Sequence, residues 1–186
     1  MFCPKLRRQS GEDGAKFIVK AAITLIMEAK IFQIDLPAET QIILAQSHFI
    51  KTVEDVHECL VNCVPNIKFG IGFCEASGPC LVRHSGNNTE MESLATKYAN
   101  EIACGHLLVI VMNNAYPINI LPRLKDVPEI AGIYCATANP LQVLIMETEQ
   151  GRAVLGVVDG FKPKGIEKDD DVQERKQFLR RIGYKV

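Results

Sequence analysis

Hydrophobic residues fill every position from 107 to 112, LLVIVM, with no polar side chain among them. A strand that is apolar on both sides is typical of the middle of a sheet with helices on each face. His106 stands at the entry of this strand, after Gly105, which can take the positive φ that ends a preceding helix. From position alone, His106 is either a functional imidazole or a histidine that is hydrogen-bonded at a sheet edge.

Alternating apolar positions predict further strands. Phe32, Ile34 and Leu36 repeat with period two, and Pro37 separates them from a second strand through residues 42–44. We expect these two strands to form a hairpin. Other predicted strands cover residues 67–74, 80–84, 132–136, 141–147 and 153–158. The connection ETEQGR before the last of them is short enough for a hairpin.

Apolar residues at helical spacing predict helices near residues 52–64 and 89–105, and a shorter, Pro-interrupted helix between 118 and 130. A C-terminal helix begins in the acidic cluster 169–171 and ends in basic residues, which suits the helix dipole. Its predicted buried face consists of Val172, Phe178, Leu179 and Ile182. Helices mixed with strands predict a layered α/β domain with a mixed central sheet.

The first 26 residues differ from the rest of the chain. They begin with the polar stretch MFCPKLRRQSGEDGAK, and the apolar stretch that follows is interrupted by Lys20 and is too short to span a bilayer. A compact domain is expected to begin at Met27. We therefore interpret residues 1–26 as an accessory extension or an upstream translation start, and residues 27–186 as one domain.

Composition excludes several classes of protein. The net charge of −1 provides no field that attracts nucleic acid, and no segment predicts a membrane span. Seven cysteines, mostly in apolar surroundings and without a CxxC pair, indicate a reducing cytoplasm and no metal site. The sequence also lacks the fingerprints of P-loop NTPases, Rossmann proteins, zincins and α/β-hydrolases.

A phosphate site is indicated by the segment EQGRAVLGVVDGFKPKG, residues 149–165, which is rich in glycine and positive charge. Arginine grips phosphate oxygens with two donors, lysine supplies a point charge, and glycine allows close backbone approach. The residues that would bind a nucleotide here are Gly151, Arg152, Asp159, Gly160, Lys162 and Lys164, with Thr137 and Asn139 in the preceding CATANP turn. The alternative is that the glycines form turns, the lysines are solvated, and the polar residues stabilise local loops.

Five blocks in this order give the chain a specific resemblance: QSHFIKTVEDVHECL, KFGIGFCEASGPCLVR, GHLLVIVMNNAYPINIL, CATANPLQVLIMETEQGRAVLGVVDGFKPKG and RKQFLRRIGYKV. From about Met27 to Val186 the sequence resembles the adenosine-specific kinase family of prokaryotic, largely archaeal proteins. The resemblance implies a three-layer α/β/α fold, an adenosine nucleotide (AMP, ADP or ATP) as ligand, and a histidine that carries a phosphoryl group.

His106 is the histidine we select from this resemblance, with His48 as the runner-up. His57, on a predicted helix face, and His84, in the RHSGNN loop where the family is expected to vary, are weaker candidates. A neutral imidazole offers one nucleophilic nitrogen, and phosphoryl transfer then needs positioning and charge neutralisation, for which we expect a Mg²⁺ on the phosphates. The alternative is a sensor that binds AMP or ADP without turnover. Exposed apolar loops such as AYPINIL also favour a homo-oligomer.

Overall fold

A computed structural model describes residues 29–186, so the predicted N-terminal extension, residues 1–26, lies outside the described residues. The strands are β1 (Ala29–Ile34), β2 (Gln41–Ser47), β3 (Lys68–Cys74), β4 (Val82–Gly86), β5 (Leu107–Asn113), β6 (Ile130–Thr137), β7 (Leu141–Glu147) and β8 (Arg152–Asp159). The helices are α1 (Thr52–Val61), α2 (Thr89–Ile102), α3 (Pro117–Leu124) and α4 (Asp169–Arg181). The α/β class predicted from the sequence is confirmed.

Strand β5 occupies the centre of a five-stranded sheet with the order β4-β3-β5-β2-β6. All of its residues except the last, Asn113, are buried, as the unbroken apolar run predicts. A second sheet has the order β1-β7-β8. Every strand pairing in both sheets is antiparallel, and an isolated parallel bridge joins Cys104 to Arg152. The mixture of strand directions that we expected in the central sheet is therefore not found there.

Two apolar clusters cover the two faces of the five-stranded sheet. On one face, Ile43, Phe73 and Ile110 pack with residues of α1 and α3. On the other, Val109 and its neighbours pack against α2 and the inward side of the three-stranded sheet. The molecule therefore has three layers, and the layer that contains α2 also contains the small sheet.

The predicted hairpin between the first two strands is wrong. Strand β1 pairs with β7 in the small sheet, whereas β2 pairs with β5 and β6 in the large one. The reason is burial: six of the seven residues of β2 are buried, so it belongs between two strands, while most of β1 is exposed. The hairpin predicted across ETEQGR is confirmed, since β7 pairs with β8.

The C-terminal helix forms where the acidic cluster predicts it, but its predicted buried face is wrong. No residue of α4 is buried, and Phe178 and Ile182 are both exposed. The apolar stripe exists in the sequence, yet none of the helices and strands described between residues 29 and 186 packs closely against it. Within the described residues, no helix is both long and apolar enough to cross a membrane.

Candidate functional site

The loop between α2 and β5 fixes the backbone of His106. Helix α2 ends at Ala103, which has a left-handed φ of 51°, so the left-handed helix end expected at Gly105 lies two residues earlier. His106 is itself left-handed, with φ 62°. Its N–H donates to the carbonyl of Cys74 at 2.8 Å, and its carbonyl accepts from the N–H of Ser47 at 3.0 Å. Hydrogen bonds to β3 and β2 thus hold a backbone conformation that costs a non-glycine residue about 1–2 kcal/mol.

The imidazole of His106 lies flat against Phe73. The two ring centroids are 6.0 Å apart and the planes differ by 8°. Phe73 is buried in the cluster that packs against α1 and α3, so the imidazole lies on this face of the central sheet. His106 is only half-buried, which leaves part of the residue open to a ligand.

Arg83 is a neighbour that the sequence analysis did not select. It pairs with Phe73 across β3 and β4, and residues that pair directly project from the same face of a sheet. Its Nη2 donates to Oε2 of Glu75 at 3.0 Å, while its Nε is buried and has no hydrogen-bond partner among residues 29–186. A buried donor without a partner lowers the stability of the fold by about 1–3 kcal/mol. An anion that accepts a hydrogen bond from Nε of Arg83 would remove this cost.

His48, the runner-up histidine, lies at the same end of the sheet. His48 is exposed and directly follows Ser47, whose N–H donates a hydrogen bond to the carbonyl of His106. Behind it, the hydroxyl of Ser47 donates to the carbonyl of Glu129 at 3.0 Å, and Lys51 forms an ion pair with the Glu129 carboxylate at 2.7 Å. Both candidate histidines therefore stand on well-supported loops at one end of the molecule.

A cavity of about 510 Å³ opens at this same end. Its lining includes Glu75, Cys80, Gly105, Gly151 and Arg152. The guanidinium of Arg152 donates to the carbonyl of Glu101 on α2 at 3.2 Å, and to the carboxylate of Glu147 at 3.4 Å. Arg152 and Gly151 thus line one cavity, as the glycine-rich segment suggested.

His106 does not line this cavity, although its neighbour Gly105 does. Arg152 lies on the α2 side of the central sheet, whereas the imidazole of His106 lies on the side of α1 and α3. The structure therefore brings these two residues to one end of the molecule but not into one pocket. Glu75 lines the cavity with Arg152 and also binds Arg83, which lies on the face of the sheet that carries His106.

The remaining predicted nucleotide-binding residues lie at the opposite end of the sheet. The carboxylate of Asp159 accepts hydrogen bonds from the Thr137 hydroxyl at 2.8 Å and the Asn139 amide at 3.0 Å. Gly160 takes a left-handed φ of 69° beside Asn139. Lys162 and Lys164 follow and are exposed. A seven-residue strand such as β5 spans about 20 Å, so one phosphate cannot touch both this group and His106.

The charges of the lining residues favour the cavity at Arg152 as a phosphate site over another cavity of comparable size. The second cavity, of about 380 Å³, is lined by the carboxylates of Asp55, Glu58 and Asp126 with Arg123 as the cation. Three carboxylates against one guanidinium repel a phosphate group. Among residues 29–186, no group of three or more histidine, cysteine or acidic side chains is arranged to hold a metal ion.

Comparison with known proteins agrees with the resemblance seen in the sequence. A family model described as adenosine specific kinase matches residues 32–185. The chain belongs to this family. A crystal structure of the PH1918 protein from Pyrococcus horikoshii OT3 matches with 45% sequence identity and a TM-score of 0.83, covering 87% of this chain and 99% of that one. A search among curated proteins gives no match.

Proposed function

We propose that this member of the adenosine-specific kinase family transfers a phosphoryl group from an adenosine nucleotide through a phosphohistidine at His106. The observation that carries the proposal is the half-buried imidazole on a fixed backbone, with Arg83 on the same face of the sheet. The unpaired Nε of Arg83 is a donor that a transferred phosphate would satisfy.

The cavity at Arg152 is the proposed place of the nucleoside. Its volume of about 510 Å³ lies within the range of small-molecule sites. Gly151 and Gly105 allow close approach of the backbone, and Arg152 supplies positive charge. Because Glu75 connects the cavity to Arg83, the phosphate chain would extend past Glu75 towards the face that carries His106.

The proposed reaction has two displacements at phosphorus. The unprotonated ring nitrogen of His106 attacks the terminal phosphorus of ATP or ADP, and an N–P bond forms as the P–O bond to the leaving nucleotide breaks. An acceptor hydroxyl then attacks the same phosphorus, so the N–P bond breaks, its electron pair returns to the ring nitrogen, and that nitrogen takes up the proton that the hydroxyl loses. Arg83, on the face that carries His106, contributes by neutralising charge on the phosphoryl oxygens, which is a main requirement of phosphoryl transfer.

Mg²⁺ would enter as part of the nucleotide complex. This ion keeps several waters and is held by phosphates with one or two carboxylates, so it needs no cluster of protein ligands. Glu75, which is bound to Arg83 and lines the cavity, is the carboxylate that fits this role.

Labelling with γ-³²P-ATP and Mg²⁺ tests the assignment. We expect wild type to take up acid-labile, alkali-stable label and His106→Asn to lose it, because asparagine tolerates the left-handed backbone but cannot carry the phosphoryl group. His48→Asn is the matched control and should keep the label. Label that persists in His106→Asn would exclude His106, and loss only in His48→Asn would transfer the role to the runner-up.

A second candidate function is a sensor that binds AMP or ADP without turnover. It is favoured by the placement of His106 and Arg152 on opposite faces of the sheet. Calorimetry with AMP, ADP and ATP, run beside a product assay, separates the two functions. Tight binding that Arg152→Gln weakens, without label or product in wild type, would support the sensor.

The group at the other end of the sheet stays a prediction. Thr137 and Asn139 donate hydrogen bonds to Asp159, Gly160 lies beside Asn139, and Lys162 and Lys164 are exposed. If this group recognises a nucleotide, Asp159→Asn weakens binding measured by calorimetry. We also expect a cytoplasmic protein without nucleic-acid or membrane partners, in keeping with its charge and cysteines.

A further inference from the structure

The segment that follows β8, residues 160–186, leaves the body of the domain, and we refer to it as the C-terminal arm. It contains α4, none of whose residues is buried. Phe161 and Ile166 in the arm are 84% and 94% exposed, and Phe178, Ile182 and Tyr184 are exposed as well. Such a concentration of exposed aromatic and aliphatic side chains marks an interaction surface.

The arm is part of the family's domain and is not an appended tail, because the family model runs to residue 185. Its helix has complete signals of its own: the Asp171 carboxylate accepts from the N–H of Lys168 at 2.8 Å, and Arg175 binds Glu167 with two donors at 2.7 and 2.9 Å. For residues 161–186, the hydrogen bonds described remain within the arm. An ordered helix with an uncovered apolar stripe needs a surface to pack on.

A matching uncovered surface lies on the three-stranded sheet, and we refer to it as the outer face. The pairing register places alternate residues of each strand on the side away from the core; the apolar ones with side chains larger than alanine are Ile31, Leu144, Met146 and Val158, and the polar ones are the paired Gln33 and Gln142. Leu155, the unpaired residue of the bulge in β8, is also absent from the core cluster. Ile31 is 65% exposed and Leu155 is 54% exposed. An antiparallel sheet with one free face ordinarily shows polar residues there, so the exposed Ile31, Leu155 and Val158 on the outer face indicate a missing cover.

We propose that the C-terminal arm of one copy of this chain packs on the outer face of a second copy. Each chain has both surfaces, and the helices and strands described for the chain cover neither of them. In a pair of copies, the arm of each copy can therefore pack on the outer face of the other. An arm of 27 residues falls in the range of about 20–30 residues a side that specific interfaces use.

Residues 1–26 are the competing cover for the outer face, and the comparisons favour a second copy over them. The family model begins at residue 32, and the Pyrococcus protein is covered over 99% of its own chain by a match to 87% of this one. The family's domain therefore contains the small sheet and the arm without a counterpart of the N-terminal extension.

Sedimentation velocity of the full-length chain at micromolar concentration tests the proposal. Wild type should sediment as a multiple of 20.6 kDa. Phe178→Glu in the arm and Leu155→Glu on the outer face should each weaken assembly at least 100-fold. Gln177→Glu, which adds the same charge beside Phe178, and Ile118→Glu, on another exposed apolar site, should leave the mass unchanged. Circular dichroism confirms that the variants are folded, and Val158→Glu replaces Leu155→Glu if that variant is not.

Mixing the two defective variants provides the decisive measurement. Phe178→Glu retains an intact outer face and Leu155→Glu an intact arm, so an equimolar mixture should form a complex with one intact contact. A mixture that stays monomeric overturns the packing of the arm on the outer face. The proposal is also overturned if wild type is a monomer, if both variants keep the wild-type mass, if Ile118→Glu alone dissociates it, or if removing residues 1–26 does.

Discussion

Four cysteine thiols lie in surroundings that oppose their ionisation. Burial raises the pKa of Cys74 and Cys59 to about 12, with neighbouring Cys63 adding to the effect at Cys59, and raises the pKa of Cys104 and Cys135 to about 11. A thiol, unlike a thiolate, is a poor nucleophile at neutral pH. These residues therefore belong to the packing of the core and not to the chemistry of the site, which agrees with the sequence interpretation.

The raised thiol pKa values predict a loss of stability at high pH. Between pH 9 and about 12, the unfolded chain releases protons that the folded chain retains, so the free energy of unfolding falls as pH rises. Each buried thiol contributes up to about 1.4 kcal/mol per pH unit within this window. Urea unfolding at pH 8 and pH 10 measures the effect. Cys74→Ala should flatten the dependence, whereas the exposed Cys80→Ser should leave it as in wild type.

At the scale of single residues, the sequence predicted where His106 lies but not where its ring points. The apolar run fixed its place at the entry of β5, whereas the ring orientation depends on a left-handed φ and on a contact with Phe73 from another strand. Arg83 was missed for a related reason. Its importance comes from pairing with Phe73, and the sequence predicts the two strands without showing that they pair or in which register.

Helix α2 packs on β3 at a distance that only glycine permits. A Cβ at Gly70 would lie 2.1 Å from the backbone nitrogen of Glu92, and one at Gly72 would lie 2.5 Å from the carbonyl oxygen of Ala95. These neighbours are backbone atoms of a helix, so they cannot move aside independently. The two glycines therefore set the spacing between the central sheet and the α2 layer.

Gly72→Ala should accordingly destabilise the protein by about 3 kcal/mol, at the upper end of what overpacking a core costs. Gly132→Ala on β6 is the matched control, because a Cβ there meets no atom within 4 Å, and it should change stability by less than about 0.5 kcal/mol. Denaturant unfolding of the two variants gives the comparison. Equal stabilities would show that α2 shifts freely on β3.

At the scale of elements, periodicity predicted which segments are strands and helices better than it predicted their partners. The pattern of β1 is compatible with a hairpin to β2, but the burial of β2 on both faces requires two other strands beside it. The stripe on α4 was detected correctly as apolar and assigned wrongly to the core. An apolar pattern in the sequence indicates that a face is buried, but it does not indicate whether the same chain or another molecule covers that face.

For the molecule as a whole, the proposed domain of residues 27–186 predicts that the first 26 residues are dispensable for folding. The first described strand begins at Ala29 and the family model at residue 32. A chain starting at Met27 should melt within about 2 °C of the full-length chain by differential scanning calorimetry, because no part of the family's core is removed. A fall of 5 °C or more would assign residues 1–26 to the folded domain.

The three layers were within reach of the sequence, because they follow from doubly apolar strands and amphipathic helices. The division of the strands into two sheets was not. The division into two sheets depends on pairing between strands that are far apart in sequence, such as β1 with β7. A local sequence pattern contains no information about such pairs. The same separation explains why the predicted nucleotide-binding residues fall at two ends of the molecule: Arg152 and Asp159 are the first and last residues of one strand.

The left-handed backbone at position 106 reverses an ordinary ranking of substitutions. In most structured positions alanine is better tolerated than glycine, but a methyl group is penalised by about 1 kcal/mol where φ is positive. His106→Gly should therefore unfold at a higher denaturant concentration than His106→Ala, although neither variant retains an imidazole. Comparing the two midpoints would report the backbone geometry of this corner without any assay of catalysis.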